Sequence, residues 1–576
     1  MKTRLVNENF KENYLDNLLI ARGLKKNELN YFYNVPNDSE LEGPILLDNA
    51  PEGAKLLFKT IDNDGNICII VDSDVDGFTS AAIIYQYIKF LKPDILVDYI
   101  LHEGKGHGLS DTIDNIINSD THYNLIVLPD SSTNDKEYHD KLANYGAACL
   151  ILDHHLSESD DYSDNAIIIN NQLSPHYSNK DLSGAGVTWQ FCRFLDELNG
   201  NNYANELIDL AALGIVSDMM NVLQLENRYI IYNGFNNVKN YFFQKLCEKQ
   251  SFSMGGKVTP ITVAFYVTPL INAMIRVGTM DEKERLFKAF IEGHELVPCN
   301  KRGAKGTLEE CAVESVRECV NARSKQNRTL DKAMEELEYK IFKYDLLENK
   351  ILFIKLDEED FPPELNGLLA MKLAAKYKKP TIVARANEEG EVKGSQRGLN
   401  ESELTSFKKF LDDSEYFTFT AGHDNASGIG IMEQNIFPFL NYANQELKNV
   451  DFGENFYEVN FELDAFENVG ELIFDLGREE GIFGQHNNEP VIHITKLYAY
   501  PKDIQIMGKK QDTVKIENNG VSYMFFKCAD RLEEFDKKDG MVIELVGKPN
   551  INHWGGNITP QIFVTNFEVK DLDLTF

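Results

Sequence analysis

Two short acidic strings, Asp72-Ser73-Asp74-Val75-Asp76-Gly77 and Asp153-His154-His155, each follow an apolar, β-branched run, Ile67-Cys68-Ile69-Ile70-Val71 and Cys149-Leu150-Ile151-Leu152. Such runs read as strands buried on both faces of a parallel sheet. Ligands of open α/β sheets bind beyond the carboxyl ends of the strands, so both strings should meet in one crevice. Aspartates and histidines gathered there repel or desolvate one another unless cations are present. A metal site is the economical reading.

Strands and helices alternate around these strings. The acidic loop leads into a helix expected over 79–90, and a strand near 94–101 is followed by the Gly-rich loop 103–109. A strand over 124–128 ends at Asp130, and a helix over 134–145 precedes the strand that ends at Asp153. An apolar helix over 207–216 delivers Asp218. This alternation implies right-handed crossovers and a parallel sheet. A calcium-binding EF-hand loop also begins Asp-x-Asp-x-Asp-Gly, but it needs a glutamate where this chain has Ile83, and a preceding helix where this chain has a strand. Taken singly, Asp130 or Asp218 would read as a cap or turn residue. Their shared sheet edge makes them site candidates.

At 576 residues the chain should divide into three or four domains. Eight scattered cysteines with no Cys-x-x-Cys pair suggest buried thiols in a reducing cytosol. No apolar run in the sequence approaches the roughly 20 residues that cross a bilayer, and the polar start lacks a signal-peptide core. The net charge of −33 lowers the expectation of tight non-specific nucleic-acid binding without excluding a nuclease, because a narrow basic groove can persist on an acidic body.

The strings, in this order and spacing, resemble the DHH phosphoesterase superfamily. The resemblance implies two divalent ions, manganese preferred and magnesium possible, with Asp74, Asp76, Asp130, His154 and Asp218 as ligands and Asp130 bridging. Asp72 and Asp153 are then ligands or orienting residues, and His155 faces the reacting phosphate. Hard carboxylates with imidazole and no thiolate suit these ions.

Further strings resemble the RecJ branch of that superfamily, the single-strand exonucleases: residues 21–35, Leu182-Ser183-Gly184-Ala185-Gly186-Val187, and 269–276, which keeps Asn272 and Arg276. A charged helical connector over about 307–342 leads to a second α/β domain carrying Gly394-Ser395-Gln396-Arg397-Gly398 and Ala421-Gly422-His423-Asp424-Asn425. By themselves these residues also allow a surface ion pair for Arg397 and a structural role for His423. The resemblance makes Ser395, Arg397, Gly422 and His423 substrate contacts of a DHH-associated domain. The family's end-binding arginine falls at His102. From about 488, five short β-rich runs separated by turns suggest a small barrel of the OB type. Its Asn552-His553-Trp554-Gly555-Gly556-Asn557 resembles the family's signature, with Trp554 either barrel core or a base-stacking residue.

The expected fold is therefore α/β: an N-terminal helical segment (1–60), a parallel-sheet phosphoesterase domain (61–300), a helical connector (301–345), the DHH-associated domain (346–450), a linker with a helix (451–487) and an OB-fold barrel (488–576). The resemblance implies a metal-dependent 5′-to-3′ exonuclease that hydrolyses single-stranded DNA to nucleoside 5′-monophosphates in repair or recombination, with Asp72, Asp130 and His155 at the reaction. It also implies a cytoplasmic monomer free of membrane, with single-strand-binding or other repair proteins as partners. The alternatives are a phosphodiesterase for short oligonucleotides or cyclic dinucleotides, and a non-catalytic replication scaffold.

Overall fold

The computed structural model describes residues 2–572 except 36, 39–40, 105, 158–160, 358–360, 388–389, 400–401, 453–455, 480, 555 and the Trp554 side chain. The chain forms two units, one of residues 22–326 with 479–488, the other of 2–21, 327–478 and 489–572.

The first unit is built on five parallel strands, Ile67–Val71, Val97–Leu101, Leu125–Pro129, Ala148–Asp153 and Ala166–Asn170, lying in the order second, first, third, fourth, fifth. The first and third strands are buried at every position. Alternate residues serve two cores. Ile67, Ile69, Val71, Leu125 and Val127 pack with Ala81, Ile84, Trp189 and Phe191, whereas Cys68, Ile70, Ile126 and Leu128 pack with Leu109, Ile113 and Leu142. Continuous apolar runs arise because helices cover both faces. The order reverses at the first strand, so the crevice lies beyond the carboxyl ends of the first and third strands, where Asp72 and Asp130 stand.

The helix expected to begin at residue 79 begins at Val75 and runs to Leu91. Asp74 is its N-cap, accepting from the Gly77 N–H at 2.9 Å, so the acidic string itself forms the first turn. One helical stretch, Pro260–Val277, is apolar enough over 18 residues to resemble a membrane span (mean hydropathy 1.4), contrary to the sequence expectation. Half of it is buried, and Val263, Val267 and Ile271 lie in the core of the first unit. All eight cysteines are free, and seven are buried.

The 33-residue helix Cys311–Lys343 carries the chain from the first unit into the second. There, a sheet in the order Phe417–His423, Ala426–Met432, Glu391–Arg397, Thr381–Ala386 and Leu352–Leu356 is antiparallel except for its last pair. The barrel has seven strands rather than five and begins at Phe461–Leu463, not near 488. Its Met541–Trp554 and Asn557–Asp571 strands form one long hairpin with the Asn-His-Trp signature at the tip. The first residues also depart from expectation. Lys2–Leu5 is a strand paired in parallel with Phe456–Val459, so residues 2–21 fold with the second unit.

Candidate metal centre

Asp72, Asp74, Asp76, Asp130, Asp153, His154, His155 and Asp218 come together at the carboxyl edge of the parallel sheet, with Asp130 at the middle. His154 Nε2 stands 3.2 Å from Asp130 Oδ1, 3.4 Å from Asp218 Oδ2 and 3.9 Å from Asp76 Oδ2. Two ligand sets meet at Asp130: one with His154 and His155, the other with Asp72 and Asp74. A third, Asp76 with Asp218, shares His154. Asp130 adopts left-handed backbone (φ 66°), which aspartate tolerates better than most residues, and its N–H donates to the Leu152 carbonyl at 2.8 Å.

Glycines permit this crowding. A Cβ on Gly184 would stand 2.3 Å from Asp130 Oδ1, one on Gly214 2.3 Å from Asp76 Oδ1, and one on Gly77 2.5 Å from the Asp72 Cβ. The helix Gly184–Asn199 points its amino terminus at Asp76, which accepts from Ser183 Oγ (2.9 Å), Gly184 N (2.7 Å) and Ala185 N (3.1 Å). These backbone donors have no letter of their own. The Gly-rich string is their only trace in the sequence.

The donor set fits divalent cations. Burial, then the charges of Asp76, Asp74 and Asp72, holds the Asp130 carboxyl well above the usual range. Asp218 is raised by burial and by Asp76 and Asp74, and Asp74 is pushed up to about 6 by burial and by Asp72 and Asp76. Burial and the charge of His155 push His154 down to about 4, leaving a neutral imidazole able to coordinate. Oδ1 of Asp130 and Oδ1 of Asp72 are buried with no hydrogen-bond donor among the described residues. Cations at these atoms would relieve both the repulsion and the unsatisfied oxygens.

Two histidines flank the carboxylates. His155 Nδ1 meets Asp153 Oδ1 at 2.8 Å, and Asp153 Oδ2 accepts from the Thr133 N–H at 3.0 Å. Asn170 braces this arm by donating to Thr133 Oγ1 (2.9 Å) and the His155 carbonyl (3.0 Å). Burial opposes the charged form of His155, but the hydrogen bond and charge of Asp153 outweigh it and raise the pKa. The second histidine, His107, was not singled out from sequence as a site residue. Its Nδ1 lies 2.9 Å from Asp72 Oδ2, and its ring is edge-on to that of His155 at 4.8 Å. Burial lowers its basicity, yet Asp72 outweighs that and pushes it up to about 9. A histidine between two glycines, at the end of a strand on the same sheet edge, was the available signal.

His102, expected as an end-binding residue, is placed differently. Its side chain is wholly buried, with Nδ1 2.8 Å from Asp111 and Nε2 3.9 Å from Asp72. A Cβ on Gly106 would collide with its ring at 2.2 Å. It packs behind Asp72 and does not face open space. Asn272 and Arg276 lie one turn apart on the helix Thr268–Val277, and Arg276 senses the charge of Asp74. In the second unit, strand register sets Arg397 and His423 on either side of Ala426, on one sheet face. Ser395 shares that face, and a Cβ on Gly367 would approach Arg397 Nη2 at 2.6 Å and Ser395 Oγ at 3.6 Å. Gly422 has φ 126°, and His423 is exposed. The Trp554 side chain lies outside the described residues.

A doubly wound sheet with a carboxylate–histidine centre at its switch point defines a DHH phosphoesterase, and residues 66–215 match the DHH family, N-terminal domain. Residues 461–566 match the RecJ OB domain. Over the full length of both chains it is 35% identical to YorK of Bacillus subtilis (strain 168), a protein named as an SPbeta prophage-derived single-strand DNA-specific exonuclease. It is 24% identical to RecJ of the same organism, over 97% of this chain and 68% of that one. RecJ of Thermus thermophilus in complex with Mn2+ has the same fold, with a TM-score of 0.73 at 17% identity over 99% of this chain and 80% of that one; the Mg2+ complex gives 0.66. The chain belongs to the RecJ-like nucleases of the DHH superfamily.

Proposed function

We propose that this protein degrades single-stranded DNA from the 5′ end, releasing nucleoside 5′-monophosphates, in DNA repair or recombination. One observation carries the reading: Asp130 meets Asp72 and Asp74 on one side and His154 on the other, and His154 in turn meets Asp76 and Asp218. Asp72, Asp74, Asp76, Asp130, His154 and Asp218 would hold two divalent ions there, manganese preferred over magnesium because one ligand is imidazole. Such ions supply positive charge at the phosphate and acidify the attacking water.

The remaining work falls to side chains. Asp153 fixes the His155 ring through Nδ1 and favours its protonated form, leaving Nε2–H as a donor to a phosphate oxygen as charge develops there. The hydrogen bonds from Ser183, Gly184 and Ala185 hold Asp76 in place, so it need not reorganise during the reaction. Ser395 and Arg397 offer a hydroxyl and a forked guanidinium suited to a terminal phosphate. The barrel holds longer strands through base stacking and backbone contacts.

The test is to incubate end-labelled single and double strands of DNA and RNA with manganese and resolve the products by length. Mononucleotides released from the 5′ end of single-stranded DNA support the reading. Cleavage confined to di- to pentanucleotides, or to cyclic dinucleotides, would replace it.

A further inference from the structure

His107 forms the second of two matched pairs. Asp72 holds Nδ1 of His107 at 2.9 Å as Asp153 holds Nδ1 of His155 at 2.8 Å. Both carboxylates are buried, with side chains 7% and 1% exposed, while the imidazoles are 52% and 43% exposed. The Nε2 atom of each ring has no partner among the described residues, and the rings lie edge to face at 4.8 Å. The loop that presents His107 is tied down on both sides. Ser73 Oγ donates to the Gly104 carbonyl at 3.2 Å, and Leu109 N and Ser132 Oγ both donate to Asp135 Oδ2, at 2.9 and 2.7 Å. Gly108 takes φ 70°, and a Cβ there would fall 2.4 Å from Asp135 Oδ2.

Satisfying Asp72 does not account for this. Asp72 Oδ1 still lacks a donor, and a histidine serving only to pair Asp72 would not need its second nitrogen open to solvent. A half-exposed imidazole that donates Nδ1–H to a carboxylate presents Nε2–H to an anion arriving from solvent when both ring nitrogens carry protons.

We propose that His107 is a second phosphate-contacting residue of the nuclease site. Its Nε2, oriented through Asp72, donates to one non-bridging oxygen of the scissile phosphodiester while His155 donates to another, so the phosphate sits between two imidazoles. This rests on the nuclease reading above and adds a residue to it.

Amide replacements separate the two nitrogens, because the asparagine amide reaches where Nδ1 stands and the glutamine amide where Nε2 stands. His107→Ala, His107→Asn and His107→Gln are compared with the full-length, manganese-loaded enzyme by three readouts: bound manganese by elemental analysis, thymidine 5′-monophosphate affinity by calorimetry, and kcat/KM on single-stranded DNA. The expected result for His107→Ala is unchanged manganese content, nucleotide binding about 10-fold weaker and kcat/KM about 100-fold lower. His107→Gln should recover most of the nucleotide affinity and His107→Asn little of it. Recovery by asparagine and not by glutamine would overturn the proposal, confining His107 to Asp72. Manganese loss in step with activity would overturn it too, as would an alanine variant within twofold of wild type in all three readouts. If the wild-type protein cleaves no single-stranded DNA, the nuclease reading alone falls, and the calorimetry still decides the phosphate contact.

Discussion

A single carboxylate oxygen, Oδ1 of Asp153, holds His155 twice, through its backbone N–H at 3.2 Å and its ring Nδ1 at 2.8 Å. It also accepts the His154 N–H at 2.7 Å, so one oxygen sets the direction of both histidines. His155→Ala should therefore lower kcat about 100-fold with little change in KM or bound metal, the pattern of a group acting on developing charge. Elemental analysis beside steady-state kinetics checks this. Manganese lost in step with the rate would make His155 a support for His154.

Asp130 should govern metal response and stability in opposite senses. Asparagine tolerates its left-handed backbone and removes one of several crowded negative charges. With chelator present, Asp130→Asn should melt about 2–6 °C above wild type, because the unrelieved repulsion is smaller. With manganese added, the wild type should overtake it and regain activity that the variant never shows. Thermal melts with and without manganese report both arms. A variant that gains as much stability from manganese as wild type does would refute the bridging role.

Asp209 offers a pH test away from the centre. Its Oδ2 accepts from Lys239 N (2.8 Å) and Asn240 N (2.7 Å), yet burial outweighs these donors and pushes the carboxyl up to about 6. A folded-state pKa above the unfolded value near 3.9 means that protonation favours the fold. The stabilisation is complete below about pH 4 and is lost as pH rises through 6. Relative to Asp209→Asn, the wild type should gain on the order of 2 kcal/mol between pH 7.5 and 4.5, read as the difference in denaturant midpoints. A difference that stays flat or narrows would contradict this account.

Arg397 and the barrel hairpin concern substrate choice. Arg397→Ala should bring the kcat/KM ratio of 5′-phosphorylated to 5′-hydroxyl strands close to one, a loss of about 1.5–3 kcal/mol for a charge-assisted contact. His102, wholly buried against Asp111 and Asp72, takes no part in this ratio. Truncation near 488 would break the Phe461–Leu463 pairing with Ile492–Ile494, so the barrel is better probed by replacing residues 551–558 with a two-residue turn. That variant should bind long single strands about 10-fold more weakly while hydrolysing trinucleotides normally, since stacking contributes to holding a strand and not to cleaving it. Equal loss on both lengths would give the hairpin a structural role only.

The charged members of the centre were legible in sequence because each ends an apolar run or helix, and sheet topology forces such ends together. Asp74, Asp76, Asp130, His154 and Asp218 needed no distances to be named. The orienting layer was hidden for physical reasons. Gly184 and Ala185 act through backbone N–H groups, and Asn170 acts from the strand Ala166–Asn170, which sequence reading had not marked. His102 and His107 were told apart only by burial, which depends on how the loop folds back over Asp72. The strand Lys2–Leu5 pairs with residues far along the chain, and a partner so distant leaves no local periodicity to read.

Gly77, Gly184 and Gly214 carry no chemistry, yet a side chain at Gly184 or Gly214 would occupy the space of a carboxylate, and one at Gly77 would displace Asp72 itself. The centre can thus be silenced by a single methyl group while every acid and histidine remains in place. A homologous reading frame with alanine at 184 would pass a motif search and still be dead as an enzyme. Among drifting or domesticated copies of such genes, these three glycines are the better record of whether nuclease function was retained.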